Sequence, residues 1–140
     1  MEKYKFLEHT ADVKFKAFGK DLEEAFGNAA LAFTDTVVEQ QLVNSIEKKT
    51  IDIESESKES LLYDFLENIL NLMETDHFVL AKIDSMKITK NKLFKLNAEI
   101  SGDFGLEKYD FKREVKAITY NDMVIDEKPG NVTVQVVLDV

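Results

Sequence analysis

Every second residue from Val132 to Val140 is aliphatic: Val132, Val134, Val136, Leu138 and Val140. A two-residue period places these side chains on one face of an extended strand, and the β-branched valines favour that state. Burying such a face needs a sheet beneath it and a layer of apolar side chains against it. The same alternation occurs near the start, where Val13, Phe15 and Ala17 interleave with Lys14, Lys16 and Phe18 up to Gly19. Ile46, Ile51 and Ile53 mark another strand. Residues 78–89 and 93–100 flank Lys90-Asn91-Lys92 as a hairpin, and 115–120 is rich in β-branched residues. The only proline, Pro129, precedes Gly130, a pair suited to the centre of a type II turn.

Two segments carry a helical period instead. From Asp21 to about Val37, Leu22, Ala25, Phe26, Ala29, Ala30 and Phe33 recur at three- and four-residue steps, tracing one stripe of a surface helix. Asp21 suits the N-cap, with Glu24 placed as in a capping box. From about Glu59 to Glu74, Leu62, Phe65, Leu66, Ile69, Leu70 and Met73 form a second stripe, with Ser57 or Ser60 as the cap. Residues 101–105 (Ser-Gly-Asp-Phe-Gly) read as a loop. The expected architecture is α+β: one domain over residues 1–140, with a mixed or antiparallel sheet and two helices packed on one face.

Composition excludes several functions. The 140 residues contain no cysteine, so disulfides, thiol nucleophiles and thiolate metal sites are absent. With only His9 and His77, a multi-histidine zinc site is excluded in practice. A net charge of −9 disfavours direct nucleic-acid binding. No apolar run is long enough for a membrane span and no signal-peptide layout opens the chain, which reads as cytoplasmic. Lys87, Lys90, Lys92 and Lys95 read as a solvated hairpin edge. No glycine-rich phosphate loop or serine–histidine arrangement occurs.

What chemistry remains lies in oxygen donors. A chain stopping inside a strand would hold its α-carboxylate in a fixed place, ionised at neutral pH, with Asp139 beside it. Were Asp12 to come close, three oxygen-donor groups would converge as the start of a hard-cation site for Ca²⁺, Mg²⁺ or Mn²⁺. Taken alone, Asp12 reads as a turn or capping carboxylate, Asp139 as a wet strand-end acid, and Val140 as a fraying end. Lys116 reads as a snorkelling lysine sharing a strand face with Ile118 and Tyr120.

Five blocks in order change that balance. They are His9-Thr10-Ala11-Asp12 with the strand to Gly19, the helix carrying Glu24-Ala25-Phe26 and Ala29-Ala30, the run 61–66, the run 115–120 with Asp122-Met123, and the ending 136–140. In these the chain resembles the archease family, small proteins that assist RtcB-type RNA ligases in tRNA splicing. The resemblance implies a non-enzymatic activator that promotes guanylylation of the ligase and its multiple turnover. It implies a metal held by Asp12, Asp139 and the Val140 carboxylate, with Ca²⁺ foremost and Mg²⁺ or Mn²⁺ as alternatives. It raises Lys116 as a residue of partner activation, with Asp122 placed to face the same partner; His9, near Asp12 in sequence, reads as a hydrogen-bonding group that fixes the loop ahead of Asp12, with metal ligation as the alternative. The expected partner is the ligase, with neither nucleic acid nor membrane bound directly. Asn121 stands where family members often carry His, so no proton-transfer role is assigned near Tyr120. Two other classes stay open: a chaperone or modulator of tRNA-modifying enzymes such as tRNA methyltransferases, and a free-standing metal-dependent hydrolase.

Overall fold

The structure, a computed structural model, describes residues 2–8 and 11–140. In chain order the elements are β1 (Tyr4–Leu7), β2 (Val13–Gly19), α1 (Leu22–Val37), β3 (Glu47–Ser55), α2 (Lys58–Asp76), β4 (Phe78–Lys90), β5 (Phe94–Phe104), β6 (Ala117–Lys128) and β7 (Asn131–Asp139). Short 3₁₀ turns lie at Gln40–Leu42 and Leu106–Lys108. The strands make two sheets, ordered β1-β2-β7-β6 and β3-β5-β4. Every neighbouring pair in both is antiparallel.

The α+β class and the antiparallel pairing are as expected, but the strands divide between two sheets and the helices lie between them. Helix α1 packs on β2 and β7 of the first sheet and on β4 of the second; α2 packs on β6 of the first and on β3, β4 and β5 of the second. This placement corrects the reading of α1 as a one-striped surface helix: twelve of its sixteen residues are buried. Small side chains at Ala25, Gly27, Ala29, Ala30 and Ala32 let both layers approach it. Helix α2 keeps a true stripe, from Leu61 and Leu62 to Met73.

The helix ends follow from their caps. The Asp21 carboxylate accepts the Glu24 N–H at 2.8 Å, and Glu24 reaches back to the amide of Lys20, one residue before the cap, also at 2.8 Å. Ser57 and Ser60 form a reciprocal capping box at 3.0 and 3.1 Å. His77 closes α2 in the left-handed region, with φ 57°.

Strand β5 runs on to Phe104, through residues expected to be a loop. Gly102 explains the difference. It pairs with Glu47 on one side and Leu80 on the other, and a Cβ there would stand 2.0 Å from the Val79 carbonyl oxygen. The glycine is a close-approach position inside the sheet, not a loop signal. Pro129-Gly130 makes the β6–β7 turn, with Gly130 at φ 73°. Lys87 and Lys90 lie on β4, an edge strand, as the solvated-hairpin reading requires.

Candidate functional site

Strand β7 is the second strand from one edge of its sheet and is paired on both sides. Its alternating residues behave as the two-residue period demands: Val132, Val134, Val136 and Leu138 are buried, and Val140 is half-buried against the core. This burial fixes the end of the strand. On one side Val13 pairs with Leu138, and continuing that register by one residue sets Asp12 opposite Asp139. On the other side Ala117 pairs with Asp139, and the Lys116 N–H donates to the Asp139 carbonyl at 2.7 Å. Three residues distant in sequence therefore meet at one end of one sheet.

Because Leu138 turns toward the core, the alternation turns Asp139 away from it, while Asp12 stands at the bend just before β2. Asp139 is exposed and Asp12 half-buried. Lys116 is exposed, while Val115 and Ile118 are buried. The lysine precedes the strand proper, at its lead-in. Tyr120 stacks on Tyr63 of α2, with ring centroids 4.4 Å apart. Burial, with Asp64 nearby, pushes its hydroxyl above the usual tyrosine range.

Asp122 lies in a wide bulge of β6. Thr119 pairs with Val137 and Val124 with Gln135, so residues 120–123 face a single residue of β7. Asp122 takes φ 52°, a region that aspartate tolerates better than most residues. The Gln135 amide donates to its carbonyl at 2.8 Å, and its carboxylate meets Lys14 Nζ at 3.6 Å. Lys14 alternates with the buried Phe15, so Asp122 lies on the outer face of the sheet, as Asp139 does. His9 lies outside the described residues.

Among the described residues no group of three or more His, Cys, Asp or Glu side chains is gathered as a metal cage. The structure offers two aspartates at adjacent strand ends and the end of β7. The two side-chain carboxylates are hard oxygen donors, the chemistry that could contribute to a site for Ca²⁺ or Mg²⁺.

A residue that sequence reasoning passed over is Arg113, the one arginine of the chain. It borders a cavity of about 380 Å³ together with Asp12, Val13, Phe6, Glu8 and Thr36. Its singularity was the only signal available. A larger cleft of about 720 Å³, walled by Lys20, Lys58, Lys90, Lys128 and Phe94, lies by the β6–β7 turn, at the opposite end of β7 from Asp139. It takes no part in this site.

Taken together, the fold is a two-sheet α+β sandwich around two helices, with an oxygen-donor pair where the second and last strands meet. The Archease protein family (MTH1598/TM1083) matches residues 4–140, and the chain belongs to that family. It is 39% identical to protein archease of Pyrococcus abyssi over 143 residues, covering all of both chains. It is 36% identical to that of Methanosarcina mazei, covering 99% of this chain and 97% of the relative. The solution structure of Methanobacterium thermoautotrophicum protein 1598 matches with a TM-score of 0.85 at 34% identity, covering 100% of both chains. A Thermotoga maritima archease described as a possible chaperone shares the fold, with a TM-score of 0.62 at 18% identity over 96% of this chain and 94% of that one.

Proposed function

We propose that this protein is a non-enzymatic, cytoplasmic activator of an RtcB-type tRNA-splicing RNA ligase, promoting guanylylation of the ligase and its repeated turnover. The observation that carries the reading is the register at the end of β7, which brings Asp12, Asp139 and Lys116 to one exposed place. Asp12, Asp139 and the Val140 carboxylate are the residues that would hold a divalent cation, Ca²⁺ foremost. Such an ion supplies charge neutralisation for phosphate oxygens.

The chain's own residues do the rest. Burial of Val136 and Leu138 holds the donors still. The backbone bond from Lys116 to Asp139 holds the lysine's main chain beside the strand end, from which its ammonium would offer positive charge to an anionic ligand on the partner. Lys14 restrains Asp122 on the same face. The acidic balance of the chain suits a basic, nucleic-acid-binding enzyme as partner and disfavours direct RNA contact.

The test is guanylylation of the RtcB-type ligase from the same genome under multiple-turnover conditions, with and without this protein. The expected result is strong stimulation at substoichiometric amounts, lost in Asp12→Ala and in a protein extended by one residue beyond Val140. Absence of stimulation by the folded wild-type protein overturns the reading. Weight then moves to modulation of tRNA-modifying enzymes, which an unbiased pull-down would identify.

A further inference from the structure

We propose that the cleft walled by the starts of both helices, at the far end of β7 from Asp139, binds a small phosphate monoester with an apolar body. The ammonium groups of Lys20 and Lys90 hold the phosphate. This inference does not rest on the activator reading, and the cleft shares no residue with the strand-end site.

The cleft is assembled from both sheets and both helices. Lys20 lies just ahead of the α1 cap, Lys58 is the first residue of α2, Lys90 closes β4, and Lys128 ends β6. Four lysines thus reach one place from four parts of the fold, on a chain of net charge −9. Lys58 stands in the first turn of its helix, where the dipole disfavours a cation. Local rules are broken in this way at functional sites more than elsewhere.

The charges are not equally free. Lys58 is ion-paired with Glu127, and Lys128 with Asp126 at 3.7 Å. Two acids of the wall are engaged as well: Asp21 caps α1, and Glu23 accepts the Ile88 N–H at 3.4 Å. Lys20 and Lys90 remain. Both are exposed, and among the described residues neither ammonium joins an ion pair. Lys90 Nζ stands over the Phe94 ring, 5.1 Å from its centroid. Two uncommitted positive charges match a phosphate monoester, which carries about −1.5 to −2 at neutral pH. A single carboxylate would leave one of them unanswered. Lysine also binds phosphate as a point charge, so no planar fork is needed.

The floor of the cleft is apolar: Leu22 and Val132 are buried, and Ile88 and Phe94 half-buried. It gives an organic body a surface to cover. The volume of about 720 Å³ lies in the range of small-molecule sites. An extended polyanion is disfavoured by what lies next door. The adjoining cleft along α1 sets Asp21, Glu23, Glu24 and Asp84 against Lys3, Lys20 and Lys82, and Lys82 is paired with Asp84 at 3.6 Å. An acidic peptide or an RNA strand leaving the first cleft would meet charge of its own sign there.

The experiment titrates the full chain in metal-free buffer, so that no cation at the strand end recruits phosphate, and follows backbone amide shifts by NMR. The probes are phenyl phosphate, inorganic phosphate and benzoate. Phenyl phosphate should saturate, with shifts gathered at residues 20–23, 88–94 and 128–132. It should bind about tenfold tighter than inorganic phosphate, which lacks the apolar body, and than benzoate, which lacks the second charge. Lys20→Ala and Lys90→Ala should each weaken phenyl phosphate about fivefold. Both side chains are exposed and outside any ion pair among the described residues, so both variants keep the fold. Lys82→Ala removes the same charge from the adjoining cleft and should leave the affinity within about twofold of the wild type. Benzoate binding as tightly as phenyl phosphate would identify a carboxylate site, suited to an acidic peptide, and overturn the proposal. Equal affinity for inorganic and phenyl phosphate would overturn it too, as would a Lys82→Ala effect as large as that of Lys20→Ala. Shifts centred elsewhere, or no saturation by about 10 mM phenyl phosphate, would do the same. Ligase stimulation enters none of these readouts, so failure here leaves the activator reading standing.

Discussion

The backbone N–H of Lys116 donates to the carbonyl of Asp139 at 2.7 Å, while the lysine side chain stands in solvent. The bond that holds this position therefore does not involve the side chain, and the activator reading can be tested by removing the ammonium alone. Lys116→Ala keeps the backbone bond and should leave stability within about 0.5 kcal/mol of the wild type. Stimulation of the ligase should fall at least tenfold. Paired thermal melts and turnover assays check this: a normal melt with normal stimulation would refute the lysine's part.

Cation binding should be visible without any ligase. At free Ca²⁺ about a hundred times its Kd, linkage gives ~2.7 kcal/mol of added stability. For a chain of this size that is roughly 8 °C in Tm. Asp12→Asn and Asp139→Asn should each abolish the shift. Asp139 is exposed at its strand end, so Asp139→Asn should leave the melting temperature measured in chelator within about 2 °C of the wild type. Differential scanning calorimetry with and without Ca²⁺ decides the matter.

The segment between β5 and β6 has a pH signature at Tyr109. The Tyr109 hydroxyl, donating to Asp103, holds that carboxyl below the usual carboxylate range, with Lys108 assisting. A folded-state pKa below the unfolded value stabilises the protein above the unfolded pKa of about 3.9. That contribution is lost as pH falls through the folded pKa. In Tyr109→Phe the Asp103 pKa should rise toward its ordinary value, and stability should fall less steeply with acidification below about pH 4. Urea unfolding across the acid range would show it.

Gly102→Ala tests the sheet at a distance from the site. Its Cβ would meet the Val79 carbonyl oxygen at 2.0 Å and Phe78 Cζ at 2.8 Å. The backbone of β4 must yield, at a cost of about 2–4 kcal/mol. Ligase stimulation per folded molecule should be unchanged. A denaturation midpoint equal to the wild type's would show that the strands separate there more easily than their packing suggests.

The sequence was readable where a period repeats long enough to be counted. The alternation at 132–140 and the stripe at 62–73 both survive in the structure, and so do the serine and aspartate caps. Short or compositionally mixed elements were not readable. Strand β1, only Tyr4–Leu7, has too few residues to show a period. The Ser-Gly-Asp stretch of β5 looks like a turn until Val79 is brought against Gly102. Division into two sheets depends on which distant strands pair, and local pattern does not encode that. The site divides the same way. Asp139 and Val140 announce themselves at a strand end, whereas the approach of Asp12 follows from register alone. Arg113 depends on an aperiodic strap held by Tyr109, Lys112 and Val115.

Strand β7 lies between β2 and β6, although it is made after both. During synthesis Asp12 leaves the ribosome early and waits for residues 131–139, roughly ten seconds at ordinary elongation rates. Until then the first sheet lacks an inner strand and the aspartates have nothing to face. The pairing that brings residues 12 and 139 together thus forms in the same step that fills the first sheet. The meeting of Asp12 with Asp139 is a late event, contingent on a strand that inserts between two made before it.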